Sequence, residues 1–198
     1  MWLVQLRTRM TFYLFSNPYF SSITQDRCAT CIKILNEQGK IQTFFRDPIS
    51  HRSRKKSDYN QDGTRFIYKL ADNYAFDIIT DEKFKQTTFI CDNLKDFKEY
   101  KNTNPSWQKC YNACAVVPIQ TRLLGTQGGG NKHHLLGFIC VDNFKGGFES
   151  SEVKDLLSGY GDILYNVFVK YDKIVYTGAT KGVTNERVKI YTCWNGGW

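Results

Sequence analysis

The stretch that decides the fold is Leu135–Leu164, LLGFICVDNFKGGFESSEVKDLLSGYGDIL. Its first part, Leu136–Asp142, is apolar on both alternating faces, which indicates a strand covered on both sides. Its second part opens a helix that we predict over Glu149–Tyr171, with Ser150 as N-cap, because apolar residues recur there at three- and four-residue spacing. The apolar stripe of this helix consists of Val153, Leu156, Leu157, Tyr160, Ile163, Leu164, Val167, Phe168 and Tyr171.

Two glycines interrupt the predicted helix. Gly159 and Gly161 each cost a helix about 1 kcal/mol relative to alanine. We interpret both as positions where the helix backbone lies close against a flat surface, such as the face of a sheet.

Upstream segments supply the rest of this sheet. Cys114–Thr121 (CAVVPIQT) is a second strand that is apolar on both faces, and a polar, glycine-rich loop joins it to Leu136–Asp142. Cys28–Leu35 and Ile41–Phe45 flank an Asn-Glu-Gln-Gly turn and predict a further hairpin. The pattern predicts an α+β fold: an antiparallel sheet of about five or six strands with helices on both faces, in α/β/α layers.

Three segments complete the predicted organisation. Thr64–Asp72 and Leu94–Tyr100 are candidate short helices between the two hairpins. Residues 1–22 are read as an N-terminal helical segment, residues 23–172 as one domain, and residues 173–198 as a hairpin-like tail with alternating apolar residues.

Two runs of this chain resemble a known family. ACAVVPIQ followed by LLGFICVDNFKGGFESSEVKDLLSGYGDIL resembles the carboxy-terminal half of a GAF domain, and CATCIKILNEQGKIQTFFRD resembles the first hairpin of that family. The resemblance covers residues 23–172. It implies a small ligand held between the sheet and Thr64–Asn104. The lining it implies, one face of each strand and the rim, is Cys114, Val116, Phe138, Cys140, Asp142 and Arg46.

The resemblance implies three functions. The leading hypothesis is a GAF-like sensory or regulatory module that binds a small molecule without catalysis and without a cofactor. Some GAF proteins resemble free methionine-sulfoxide reductases, whose nucleophilic cysteine lies in the loop ahead of the Val-Pro strand, where Cys110 stands here. Such a thiol needs its pKa lowered by a cation, a base or a helix N-terminus. The third hypothesis is a domain that forms homodimers or binds a protein partner.

Cysteine and histidine spacing does not favour a metal site. Cys28 and Cys31 lie three apart on a predicted strand, so their side chains point to opposite faces and cannot converge on zinc. Cys110-x-x-x-Cys114 has no neighbouring histidine pair, and His133-His134 is read as a solvated loop pair.

Two further motifs have both a binding and a structural interpretation. Asn143, Lys145, Phe148 and Glu152 resemble a motif of cyclic-nucleotide-binding GAF domains, but a turn, a packed ring and a helix start also explain them, and this structural interpretation is favoured. The basic run HRSRKK at residues 51–56 would suit phosphates, yet such a loop is more often solvated, and nucleic-acid binding is not favoured.

Charge and composition are those of an ordinary globular chain. The 198 residues carry 27 Lys and Arg against 19 Asp and Glu, and the resulting charge of +8 is spread evenly rather than gathered in a tail. No stretch approaches the ~20 apolar residues of a spanning helix, and the apolar N-terminus places its arginines after its apolar run, unlike a signal peptide. Seven cysteines, an odd set, indicate free thiols. We expect a cytoplasmic protein without membrane contact.

Overall fold

The computed structural model describes residues 18–36, 38–48, 50–52, 54, 66–81, 87–122 and 133–180. Within these ranges the helices are α1 (residues 18–23), α2 (helical at residues 48, 50–52 and 54), α3 (Tyr74–Thr80) and α4 (Ser151–Thr180), with 3-10 turns at Leu70–Asp72 and Trp107–Lys109. The strands are β1 (Ala29–Leu35), β2 (Ile41–Arg46), β3 (Ile67–Tyr68), β4 (Phe89–Cys91), β5 (Ala113–Arg122) and β6 (His133–Asn143).

The six strands form one antiparallel sheet in the order β3-β2-β1-β6-β5-β4. The predicted α+β class and both predicted hairpins are therefore confirmed. In the first hairpin, the Asn36 side-chain oxygen accepts hydrogen bonds from the backbone N–H groups of Gln38 (3.0 Å) and Lys40 (2.9 Å). Gly39 has a φ of +69°, a conformation that glycine adopts at no steric cost. Local turn chemistry thus sets the register of β1 against β2.

Helix α4 packs along one face of the sheet, as its periodicity predicts. Val153, Leu157 and Leu164 are buried in the core, and the Ser150 hydroxyl accepts a hydrogen bond from the Val153 N–H at 3.3 Å, which confirms the N-cap. Ile163 was placed in the apolar stripe wrongly, since it is 59% exposed. The helix ends at Thr180, nine residues beyond the predicted end.

The two glycines of α4 have different environments. A Cβ on Gly161 would lie 2.7 Å from the carbonyl oxygen of Pro118 in β5, so the helix backbone touches the sheet there, as predicted. A Cβ on Gly159 would meet nothing within 4 Å, so the same prediction is wrong at that position.

The two short helices expected between the hairpins are not formed. Within Thr64–Asp72 the described residues make β3 and a 3-10 turn, because Ile67 and Tyr68 pair with β2. The helix begins only at Tyr74, where the Asn73 side chain accepts a hydrogen bond from the Ala75 N–H at 3.1 Å. Over Leu94–Tyr100 the chain forms successive turns rather than a helix.

The predicted segments at the chain ends lie partly outside the described residues. Residues 18–23 are helical, and residues 1–17 of the predicted N-terminal helical segment lie outside the described residues. Residues 173–180 continue α4 instead of forming a hairpin, and residues 181–198 lie outside. No helix in the described part of the chain is both long and apolar enough to cross a membrane.

Candidate functional site

The sheet has one face that packs against α4 and an opposite face, which we call the cavity face. A cavity of about 80 Å³ opens on the cavity face. On this measure one water needs ~10–15 Å³, so the space holds several waters or a small organic ligand. The floor is formed by β1, β6 and β5, and the walls by α3 and by residues 100–111. The described residues that line it are Cys31, Lys33, Arg46, Arg54, Tyr68, Asn73, Ala75, Phe76, Tyr100, Asn102, Thr103, Asn104, Cys110, Tyr111, Cys114, Val116, Cys140 and Asp142.

The structure brings together five of the six residues expected to line a ligand site: Arg46, Cys114, Val116, Cys140 and Asp142. The sixth, Phe138, is fully buried and does not line the cavity; its ring packs 4.7 Å from that of Phe76, which does. Phe138 therefore supports the site without reaching the cavity.

Strand register explains why these side chains meet. Cys140 of β6 lies directly opposite Cys31 of β1 and opposite Val116 of β5, and Asp142 lies opposite Cys114. Directly paired residues on antiparallel strands point to the same face of the sheet. Since every second residue shares that face, β1, β5 and β6 together present one polar and sulfur-rich floor.

Arg54 and Asp142 form a buried ion pair in the lining of the cavity. The guanidinium Nη1 donates to Asp142 Oδ2 at 2.7 Å, Nη2 donates to Oδ1 at 2.5 Å, and Nη2 also donates to the Cys110 carbonyl at 3.1 Å. Burial alone would lower the pKa of Arg54, but the adjacent Asp142 carboxylate outweighs it and raises that pKa. Arg54 belongs to the HRSRKK run, and it is only 9% exposed, so the interpretation of that run as a solvated loop is wrong at this residue.

Lys33 brings a second, half-buried cation to the cavity. Its ammonium donates a hydrogen bond to the Thr43 hydroxyl at 2.9 Å and lies 5.1 Å from the centre of the Tyr68 ring. Burial would lower the pKa of Lys33, yet Tyr68 and the thiol of Cys31 outweigh it and raise that pKa, so the amine stays charged. Lys33, Arg46 and Arg54 thus face a single carboxylate among the described lining residues.

The wall of the cavity formed by residues 100–111 consists mainly of aromatic and amide side chains. The Tyr100 and Tyr111 hydroxyls lie 3.1 Å apart, and the Asn102 amide donates to Tyr111 at 2.7 Å. The Trp107 ring packs edge-on against Tyr100 at 4.9 Å, and Arg54 lies over the Tyr111 ring at 5.3 Å. Burial raises the pKa of both tyrosines well above 10.0, so the wall offers neutral hydroxyls.

The cysteines of the Cys28-x-x-Cys31 motif lie on opposite faces of the sheet, as predicted. Cys28 packs in the core beneath α4, and Cys31 lines the cavity. The pKa of Cys31 is lowered to about 6, chiefly by its hydrogen bond with Cys140 and then by Arg46 and Lys33. In the part of the chain that the structure describes, no three His, Cys, Asp or Glu side chains are grouped to hold a metal ion.

The motif that resembles cyclic-nucleotide binding lies away from the cavity. The Asn143 side chain donates a hydrogen bond to the Gly146 carbonyl and accepts one from the Gly146 N–H. The Lys145 N–H donates to the Asp26 carboxylate at 3.0 Å, so Asn143 and Lys145 both stabilise the turn. Phe148 is fully buried, and Glu152 is exposed in the first turn of α4. The structural interpretation of this motif therefore accounts for its residues.

Sequence reasoning missed most of the polar wall. Lys33 follows Cys31 by two positions on β1, so strand alternation could have placed it beside Cys31. Tyr100 and Tyr111 reach the cavity from a loop, whose path has no periodicity that could be read in advance, and Arg54 reaches it from α2, a helix that the sequence analysis did not predict.

Comparison with known proteins identifies the fold. No protein-family model matches the chain, and no curated protein matches it. Among solved structures, the GAF domain from Acinetobacter phosphoenolpyruvate-protein phosphotransferase is similar at a TM-score of 0.53 and 12% identity, covering 88% of this chain and 96% of that one. A far-red cyanobacteriochrome photoreceptor is similar at a TM-score of 0.51 and 13% identity, covering 85% and 94%.

A third similar structure is the type II free methionine-R-sulfoxide reductase from Thermoplasma acidophilum, with a TM-score of 0.51 and 16% identity over 83% of this chain and 94% of that one. All three share the fold at low identity. The chain therefore has a GAF-like fold, as the resemblance in its sequence predicted.

Proposed function

We propose that this chain is a GAF-like sensory or regulatory module that binds a small anionic molecule in the cavity, without catalysis. The observation that carries the proposal is the charge of the cavity wall. Lys33, Arg46 and Arg54 face the single carboxylate of Asp142 among the described residues. With the Cys31 thiol ionised as well, the wall keeps a net positive charge.

An anion suits this environment for a physical reason. Like charges held in a partly buried site repel one another more strongly than in water, because the local dielectric constant is lower. A carboxylate or phosphate between them relieves that repulsion and makes charge-assisted hydrogen bonds. The Tyr100, Tyr111 and Asn102 groups on the opposite wall would orient the rest of the ligand.

Thermal unfolding tests ligand binding. We would screen cyclic nucleotides, nucleotides, amino acids, small carboxylates and tetrapyrroles, and expect the hit to be an anion. A ligand at 100 times its dissociation constant stabilises the folded state by about 2.7 kcal/mol. For a chain of this size each kcal/mol is worth roughly 2–4 °C, so the Tm should rise by about 5–11 °C.

Two variants locate the binding site. Cys140→Phe should fill the cavity and abolish the shift while the protein stays folded, since a larger side chain there costs roughly 1–3 kcal/mol. Arg46→Gln removes one charge from the wall and should weaken binding at least tenfold. Arg52→Gln removes the same charge from an exposed position and should leave binding unchanged. A shift that survives Cys140→Phe would place the ligand elsewhere.

A cysteine-dependent reductase is the second candidate. Cys110 lines the cavity, and its carbonyl accepts a hydrogen bond from Arg54. Turnover of free methionine sulfoxide that is lost in Cys110→Ser and kept in Cys28→Ser would establish this activity over the sensory one. A chain that forms a stable dimer and responds to no compound of the panel would instead favour the dimerisation or partner-binding hypothesis.

A further inference from the structure

Two pairs of cysteines are cross-strand neighbours in this sheet. Cys31 of β1 lies directly opposite Cys140 of β6, and Cys91 of β4 lies directly opposite Cys114 of β5. All four have free thiols. The cavity is lined by Cys31, Cys140 and Cys114.

The Cys31–Cys140 pair has the arrangement that a disulfide needs. Directly opposed residues of an antiparallel pair have Cβ atoms ~4.5–5.5 Å apart, and a disulfide joins Cβ atoms ~3.5–4.5 Å apart. Both side chains point to the cavity face. A small local adjustment therefore brings the two sulfurs to bonding distance without changing the strand register.

We propose that Cys31 and Cys140 are a redox-active dithiol, which hydrogen peroxide entering the cavity oxidises to a reversible disulfide. The Cys31 thiolate attacks one peroxide oxygen, the O–O bond breaks, and hydroxide leaves, so that Cys31 becomes a sulfenic acid. The Cys140 thiol then attacks that sulfur and displaces the sulfenic hydroxyl, which leaves as water with the proton of Cys140. In sum, two thiols and one peroxide give one disulfide and two waters, a two-electron oxidation of the protein.

The surroundings of Cys31 favour the first step. The Cys140 hydrogen bond, followed by Arg46 and Lys33, lowers the pKa of Cys31 to about 6, so the nucleophilic thiolate is present at neutral pH. Burial and the neighbouring Cys31 raise the pKa of Cys140 well above 9.0, so Cys140 keeps its proton until the second step. Cys31 and Cys140 are 2% and 7% exposed and both line the cavity, so the cavity is the route by which a peroxide would reach them.

The Cys91–Cys114 pair is an internal control, because it tests whether cross-strand pairing of two cysteines is by itself enough for oxidation. Burial raises the pKa of Cys114 well above 9.0 and also raises that of Cys91, and the carboxylates of Asp92, Asp142 and Glu149 add to the effect. This pair has the same cross-strand register but lacks a thiolate, so we expect it to stay reduced under conditions that oxidise Cys31 and Cys140.

Peptide mapping of the peroxide-treated full chain tests the proposal. The folded protein would be treated with hydrogen peroxide, unfolded, alkylated and digested with trypsin. We expect CATCIK (residues 28–33) linked to HHLLGFICVDNFK (residues 133–145), a mass lower by two hydrogens, and reversal by dithiothreitol. Cys28→Ser should keep the link, which assigns it to Cys31.

A second measurement separates the two steps by comparing the Cys140→Ser variant with the wild-type chain. In Cys140→Ser, peroxide should leave a sulfenic acid on Cys31 that dimedone traps, and in the wild type the disulfide should replace that adduct. Cys31 and Cys140 both alkylated after peroxide, a stable sulfinic acid on Cys31 in the wild type, or a Cys91–Cys114 link formed first would each overturn the proposal.

Discussion

The two faces of the same sheet are built from different chemistry. Beneath α4, strands β1, β5 and β6 present apolar side chains that form one buried cluster with the helix, among them Ile32, Val117, Ile139 and Val141. On the cavity face the same strands present thiols, a carboxylate and the Lys33 ammonium among their apolar residues. Val141 and Asp142 are consecutive in β6 and both buried, yet one contributes to the core and the other holds an ion pair.

Because of this difference, the face beneath α4 contributes mainly to the stability of the fold, and the cavity face carries the groups that we propose for binding. Burial of apolar area stabilises the fold by about 25 cal/mol per Å², and the α4 face consists almost entirely of such area. The cavity face keeps buried charges, each of which costs free energy unless it is paired. We therefore expect substitutions beneath α4 to lower stability through lost apolar burial. Substitutions in the cavity should change reactivity and binding, and should lower stability where a buried charge loses its partner.

The largest effect is expected beneath α4. Leu157→Asp removes a fully buried leucine and places a carboxylate in the core, which should lower the free energy of unfolding by roughly 3–5 kcal/mol. Ile163→Asp on the same helix is the matched control, and because Ile163 is exposed it should change stability by no more than about 0.5 kcal/mol. Urea unfolding measures both, and near-wild-type stability of Leu157→Asp would contradict the packing of α4.

Breaking the ion pair tests how much the cavity face contributes to stability. Asp142→Asn leaves the Arg54 guanidinium buried without its carboxylate and should lower the free energy of unfolding by roughly 3 kcal/mol. Adding Arg54→Gln removes the stranded charge, so the double variant should recover at least half of that loss. If Asp142→Asn unfolds at the same urea concentration as Asp155→Asn, which changes an exposed carboxylate, the ion pair is not part of the folded structure.

The two cysteines of one motif should react differently because they lie on different faces. The pKa of Cys31 is about 6, whereas burial raises the pKa of Cys28 above 9.0. At pH 7 the thiolate fraction of Cys31 should therefore exceed that of Cys28. Iodoacetamide labelling followed by peptide mapping should give a rate for Cys31 that levels off at a lower pH than the rate for Cys28. Equal pH profiles would contradict the assignment.

The smallest effect comes from the two glycines of α4. Gly161→Ala forces a methyl group against the Pro118 carbonyl and should lower the free energy of unfolding by roughly 1–2 kcal/mol. Gly159→Ala enters open space on a helix and should raise it by up to ~1 kcal/mol. Thermal unfolding would show opposite shifts in Tm, and shifts of the same sign would mean that the helix does not touch β5 at Gly161.

The sequence predicts those parts of the fold that depend on local periodicity. The four long strands and the start of α4 follow from the alternation and spacing of apolar residues, and Asn36 signals the hairpin turn. The predicted helix at Thr64–Asp72 was wrong because Ile67 and Tyr68 pair with β2, a contact over more than twenty positions that propensity does not register.

The same distinction applies to the site. Cys114, Val116, Cys140 and Asp142 could be predicted because strand alternation fixes the face they share, once the resemblance indicates which face binds. Arg54 could not be predicted. Its ion pair spans 88 positions, and a basic run gives no sign that one member is buried.

The pairing of β1 with β6 also decides when this protein can fold. Ala29 pairs with Asp142, so the two central strands of the sheet are separated by more than a hundred residues of chain. Closing so long a loop is entropically costly, and high contact order slows folding. During synthesis the β1–β2 hairpin must wait for β6, with the inner edge of β1 open to pairing with other chains. The protein is therefore most prone to aggregation during synthesis, after β1 and β2 have been made and before β6 is available to pair with β1.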